Sequence, residues 1–108
     1  MRVYESDAVV GKDHRPVYVN FHGGGWVAGG FATDMRFCSR VCNEVGCVVV
    51  DVDYRLAPEF PWPAQLQDSW AALLWVYSPN LRAFYKYLLC VVLGMRMGRW
   101  IELTVVGP

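Results

Sequence analysis

The sequence predicts an α/β fold, with a mostly parallel sheet and flanking helices. Segments with strand character alternate with segments of helical periodicity, the order that builds parallel sheets through crossover connections. The run Cys47-Val48-Val49-Val50 is apolar without interruption, as in a strand covered on both faces. The 108 residues are 55% hydrophobic with a mean hydropathy of +0.21, more apolar surface than a chain of this size can hide by itself. A piece of a larger domain, an oligomer subunit and a membrane-associated protein are the three states that would cover it.

Each element follows from local chemistry. Val17 to Phe21 is a β-branched and aromatic run that reads as a strand and feeds directly into three glycines. A helix is expected to start near Thr33 or Asp34, either of which can cap exposed N–H groups. Its buried face would be Cys38, Val41, Cys42 and Val45, and Gly46 would end it. Cys47 to Asp53 reads as the next strand. The prolines of the stretch from Tyr54 to Pro63 exclude helix and inner strand, so a loop follows. A second amphipathic helix is predicted from about Pro63 to Tyr77, with Leu66, Trp70, Leu73, Leu74 and Tyr77 as its apolar repeat and Pro79 helping to stop it. No linker interrupts residues 1–80, and residues 81–108 form a less orderly tail.

Charge and cysteine usage exclude several function classes. Ten basic and ten acidic residues leave no net charge, so nothing points to nucleic acid or to an acidic partner. The apolar run Leu88 to Leu93 falls far short of the roughly 18 residues that cross a bilayer. The first residues, Met1 to Asp7, carry early acidic groups and no apolar signal core, so a cytoplasmic location is expected. Cys38, Cys42, Cys47 and Cys90 form no C-x-x-C pair and read as structural thiols. Asp51, Asp53, Glu59 and Asp68 show no metal-ligand spacing, so no metal site is expected.

The chemistry lies in His22-Gly23-Gly24-Gly25-Trp26. Without Cβ atoms, consecutive backbone N–H groups can converge on one anion, the raw material of an oxyanion hole. Together with Asp53-Tyr54-Arg55-Leu56-Ala57-Pro58-Glu59 and the following Phe60-Pro61-Trp62-Pro63-Ala64-Gln65, in that order, this segment resembles the hormone-sensitive-lipase-like branch of the α/β-hydrolases, over roughly residues 1–78. The resemblance implies the N-terminal part of a partial α/β-hydrolase fold, and no cofactor. It implies that Gly23, Gly24 and Gly25 supply oxyanion donors, Gly24 and Gly25 foremost, and that His22 supports the loop and is not the catalytic base. Trp26 would line an acyl or alcohol pocket or pack in the core. Asp53, Tyr54, Arg55 and Glu59 would form a structural clasp in which Arg55 and Glu59 pair and Asp53 can join.

The rest of the family's machinery is not found. Ser6, Ser39, Ser69 and Ser78 lack the flanking glycines of a Gly-x-Ser-x-Gly turn, and no histidine follows His22. About seventy residues beyond the loop, where the family places its nucleophile, Gly94 and Gly98 flank Arg96, whose guanidinium cannot attack a carbonyl. Trp100 to Val106 alternates like a strand, or like one arm of a hairpin, where the family continues as helix. The expected function is therefore that of a carboxylic ester hydrolase-like chain with an oxyanion loop and no Ser-Asp-His triad, inactive alone. The alternative is a non-catalytic ligand-binding module resembling gibberellin receptors. Its partner in either case would be a small ester or carboxylate, given the full fold.

Overall fold

The computed structural model describes residues 1–7 and 15–79 and the chain path of 87–90. Four strands, β1 (Arg2–Tyr4), β2 (Pro16–Phe21), β3 (Val48–Val52) and β4 (Tyr87–Cys90), form one sheet in the order β1-β3-β2-β4. β2 pairs in parallel with both β3 and β4, and β1 lies antiparallel to β3. This is the predicted, mostly parallel, sheet. Helix α1 (Phe31–Val45) connects β2 to β3, and helix α2 (Ala64–Val76) follows β3.

The pleat sorts the strands between the two helices. Val17, Val19 and Phe21 of β2 and Val48, Val50 and Val52 of β3 form one core with Tyr54, Ala72 and Val76 on the α2 side. On the α1 side, Tyr18 and Val49 meet Cys38, Cys42 and Cys47. Every residue of β3 is buried, which is why its sequence shows no alternation. Cys38, Cys42 and Cys47 are free, buried thiols, and burial pushes that of Cys38 up to about 12. Among the described residues, no three His, Cys, Asp or Glu side chains are arranged to hold a metal ion, and no helix is long and apolar enough to cross a membrane.

Three expectations about the elements are corrected. Strand β1 lies in a segment where the sequence predicts no strand, because three residues carry no readable period and their pairing comes entirely from β3. Helix α1 begins at Phe31, earlier than Thr33 or Asp34. Gly30 takes the cap position, its N–H donating to the Thr33 hydroxyl at 3.1 Å while the Thr33 N–H donates to the Gly30 carbonyl at 2.9 Å. Thr33 therefore caps from inside the first turn. At the other end Gly46 is left-handed at φ 71°, as predicted, but Val45 beside it is 64% exposed and does not join the core.

Helix α2 is rotated relative to its predicted apolar face. Ala64, Gln65, Ala72 and Val76 are buried and Leu73 is partly so, while Leu66, Trp70, Leu74 and Tyr77 are half exposed or more. The helix is apolar almost all round, so periodicity alone selects the larger side chains. The side chains that actually reach the sheet core are those of Ala72 and Val76, with Leu73 partly covered beside them. The Gln65 carboxamide, donating to the Phe60 carbonyl at 2.7 Å, holds that rotation from the buried side.

Candidate active-site loop

Strand β2 ends at Phe21 and the chain turns through His22-Gly23-Gly24-Gly25-Trp26. The Gly24 carbonyl accepts the N–H groups of Val27 at 3.3 Å and Ala28 at 3.1 Å, closing a tight turn. Gly24 has φ +133° and Gly25 +66°, conformations that L side chains rarely adopt. Their own N–H groups find no acceptor among the described residues. Trp26 shares the left-handed region at φ 69°, a strained state for a bulky residue. Its ring meets Tyr54 edge-on, centroids 4.9 Å apart, and packs against the α2-side core.

His22 is 2% exposed and lies under the turn. Its Nδ1 is 2.9 Å from the Gly23 carbonyl, which can only accept, so Nδ1 is the donor in this contact. The Tyr54 ring stacks on His22 at 4.3 Å, nearly parallel to it, and the Tyr54 hydroxyl donates to the His22 carbonyl. Burial pushes the Tyr54 phenol up to about 12, so it remains a donor across the whole working pH range. Asp53 reaches toward His22 from the other edge, its Oδ1 3.8 Å from Nε2. The Ala57 N–H donates to the Trp26 carbonyl at 2.9 Å. The glycine loop and the segment after β3, far apart in the chain, thus act as one packed unit.

The clasp is wired differently from expectation. Arg55 pairs with Asp68 of α2, through Nε and Nη2 at 2.8 Å each, and the Arg55 backbone N–H also donates to Asp68 at 2.9 Å. Glu59 forms no ion pair among the described residues. The reason is geometric: the planar guanidinium fork finds a carboxylate held rigidly on a helix, while Glu59 sits on an exposed turn. The pairing holds the Asp68 carboxyl below the usual carboxylate range, mainly through the Arg55 side chain.

A buried polar pair escaped sequence reasoning. Asn20 on β2 and Asp51 on β3 are register partners, 0% and 1% exposed, with the Asn20 amide donating to Asp51 at 2.8 Å and to Asp34 of α1 at 3.3 Å. The signal was Asn20, one polar residue inside an apolar strand. Burial pushes the Asp51 carboxyl up from its ordinary 3.8, with Asp34 adding to the shift and Asn20 opposing it. An acid raised in the folded state stabilises the fold below its unfolded pKa, and that contribution is lost as pH rises through the folded value. Urea unfolding of the protein and of Asp51→Asn at pH 3.5, 5 and 7 should show the variant gaining relative stability as pH rises. A difference that stays flat with pH would remove Asp51 from the account. Asp68 runs the other way, its contribution being lost as pH falls through its lowered value.

The positions of Gly94, Arg96, Gly98 and Trp100 to Val106 lie outside the described residues, as does the predicted tail apart from the path of 87–90.

Comparison with known proteins agrees with this architecture. A family model described as an alpha/beta hydrolase fold matches residues 18–105. Carboxylesterase NlhH of Mycobacterium tuberculosis is 49% identical over 76 residues, which are 70% of this chain and 23% of that protein. The structure of an esterase from Pyrobaculum calidifontis superposes with a TM-score of 0.67 at 36% identity, over 74% of this chain and 27% of the other. A bacterial heroin esterase superposes with a TM-score of 0.74 at 31% identity, over 84% and 29%. The chain therefore spans about a quarter of the length of these relatives. With a parallel sheet, helices on both faces and the glycine turn at the end of β2, it belongs to the alpha/beta hydrolase fold family.

Proposed function

We propose that the turn Gly23-Gly24-Gly25 is the oxyanion-binding part of a carboxylesterase site, and that these 108 residues do not turn over esters by themselves. The observation that carries the reading is the pair of glycines at φ +133° and +66°, whose N–H groups make no internal hydrogen bond among the described residues. Such donors, fixed before reaction, stabilise the negative oxygen that develops when an ester carbonyl is attacked, on the order of 3 kcal/mol per donor. The Tyr54 and His22 contacts hold the turn in place, so it need not reorganise as charge develops. The sequence supplies no Gly-x-Ser-x-Gly nucleophile and no later histidine to activate one. The names of the relatives, a carboxylesterase and two esterases, agree with acyl transfer as the reaction class.

Two measurements test the two halves of the proposal. In a titration of 15N-labelled protein with butyrate, the Gly24 and Gly25 amide signals should move saturably and those of α1 should not; unmoved glycine amides would sink the oxyanion reading. Incubation with p-nitrophenyl butyrate should give no hydrolysis above buffer, and a fluorophosphonate probe should leave no adduct. Saturable turnover with a labelled serine would overturn the predicted inactivity.

A further inference from the structure

The α1 face of the sheet carries a row of polar residues. Arg2 of β1 and Asn20 of β2 are the register partners of Asp51 on either side of β3. One nitrogen, Nδ2 of Asn20, donates to both Asp51 Oδ1 and Asp34 Oδ2, which holds the two carboxyl groups within about 6 Å of each other. The second oxygen of Asp51, Oδ2, is buried without a hydrogen-bond partner among the described residues. A buried hydroxyl in that position costs far less than a buried anionic oxygen. The positive groups that reach Asp51 are Arg2 and His22, and both are engaged elsewhere. Arg2 is exposed, lies over the Phe31 ring at 4.4 Å and donates to the Tyr4 hydroxyl, while His22 donates from Nδ1 to the Gly23 carbonyl. The other titratable neighbours are Asp53, just past β3, and the Cys38 thiol of α1, which burial keeps neutral.

We propose that Asp51 holds a proton in this fold, and that this proton is a latch that lets the first turn of α1 lie against the sheet. When it leaves, a second negative charge appears beside Asp34 with one carboxamide between them, and like charges at this distance in a poorly solvated site repel strongly. Asp34 is the partner that yields. It sits on the partly exposed first turn of α1, whereas Asp51 is fixed by strand pairing on both sides. The latch is therefore closed in acid and opens as pH rises, the direction in which burial and Asp34 displace the Asp51 carboxyl. Its movement reaches the glycine loop, because the chain entering α1 is pressed against it. A Cβ at Gly29 would overlap His22 Nδ1 and lie 2.6 Å from the Gly23 carbonyl oxygen. The latch does not depend on what the glycine turn binds.

The test follows the Asp51 and Asp34 carboxyl carbons by NMR across a pH titration, together with the hydrogen-exchange protection of the Asp34 and Met35 amides in the first turn of α1. Asp51 should titrate above an ordinary aspartate, and protection of both amides should fall at least tenfold through the same midpoint. Asp34→Asn should lower the Asp51 midpoint and leave protection flat, since no second carboxylate remains to repel. Asp51→Asn should hold protection at its acid level at every pH. Asp34→Asn lies on a partly exposed turn and decides the matter even where the buried change prevents folding. An Asp51 midpoint at or below the ordinary range, or one that ignores Asp34→Asn, would overturn the proposal. A loss of protection that persists in Asp51→Asn would do the same, by assigning the transition to His22 or Asp53. So would a saturable shift of the Asn20 side-chain amide signals on addition of calcium chloride, the mark of a metal ion in place of the proton.

Discussion

Gly24→Ala should destabilise the protein by about 3 kcal/mol and displace the glycine turn, whereas Gly23→Ala, one residue away, should cost less than about 0.5 kcal/mol. The three glycines look equivalent in sequence and are not equivalent in space. A Cβ on Gly24 would lie 1.9 Å from the Ala28 carbonyl oxygen, on a backbone already at φ +133°. Because the obstacle is backbone and not the end of a flexible side chain, the turn itself must move. A Cβ on Gly23 meets nothing within 4 Å, and its φ is unremarkable. Gly29→Ala should resemble Gly24→Ala, since its Cβ would lie 2.3 Å from His22 Nδ1 at φ +103°. Urea midpoints of the three variants are the measurement. Equal midpoints for Gly23→Ala and Gly24→Ala would mean that the turn is not held as described.

Tyr54→Ala should be the most damaging single truncation in the described structure, at about 3–5 kcal/mol. Tyr54 is 4% exposed and belongs to the core with Val19, Phe21 and Val50. It also stacks on His22 and touches Trp26, so its removal leaves a cavity beneath the glycine turn as well as beside the sheet. Tyr54→Phe separates the two effects. It keeps the ring and leaves the buried His22 carbonyl without its donor, at a cost of about 1–3 kcal/mol. The Gly24 and Gly25 amide signals should shift in Tyr54→Phe, because the hydroxyl is what fixes the carbonyl at the root of the turn. Unperturbed glycine amides with a wild-type urea midpoint would show that the turn is held by packing alone.

The site is partly legible in the amino-acid sequence. Three glycines behind a strand announce backbone conformations that other residues rarely adopt, and Gly24 and Gly25 adopt them. The place of His22 at the strand end is also legible, and the fold buries it beside the Gly23 carbonyl. Its contact with Tyr54, 32 positions later, is not legible, because stacking partners leave no trace in local sequence. Arg55 illustrates the same limit. Three carboxylates, Asp53, Glu59 and Asp68, lie within reach along the chain, and proximity favours the nearer two. The third is chosen because α2 presents it at the angle the guanidinium fork requires.

The sequence by itself determined the α/β class, the double-sided burial of β3 and the glycine turn, since each depends on what a residue can or cannot do with its own backbone or its immediate solvation. The tertiary structure alone decided the pairing of β1, the rotation of α2 and the partner of Arg55. In those three cases several alternatives are nearly equal locally. The choice among them comes from contacts between elements far apart in the chain: the register offered by β3, the packing of Ala72 and Val76 against the valines of β2 and β3, and the carboxylate that α2 holds in place.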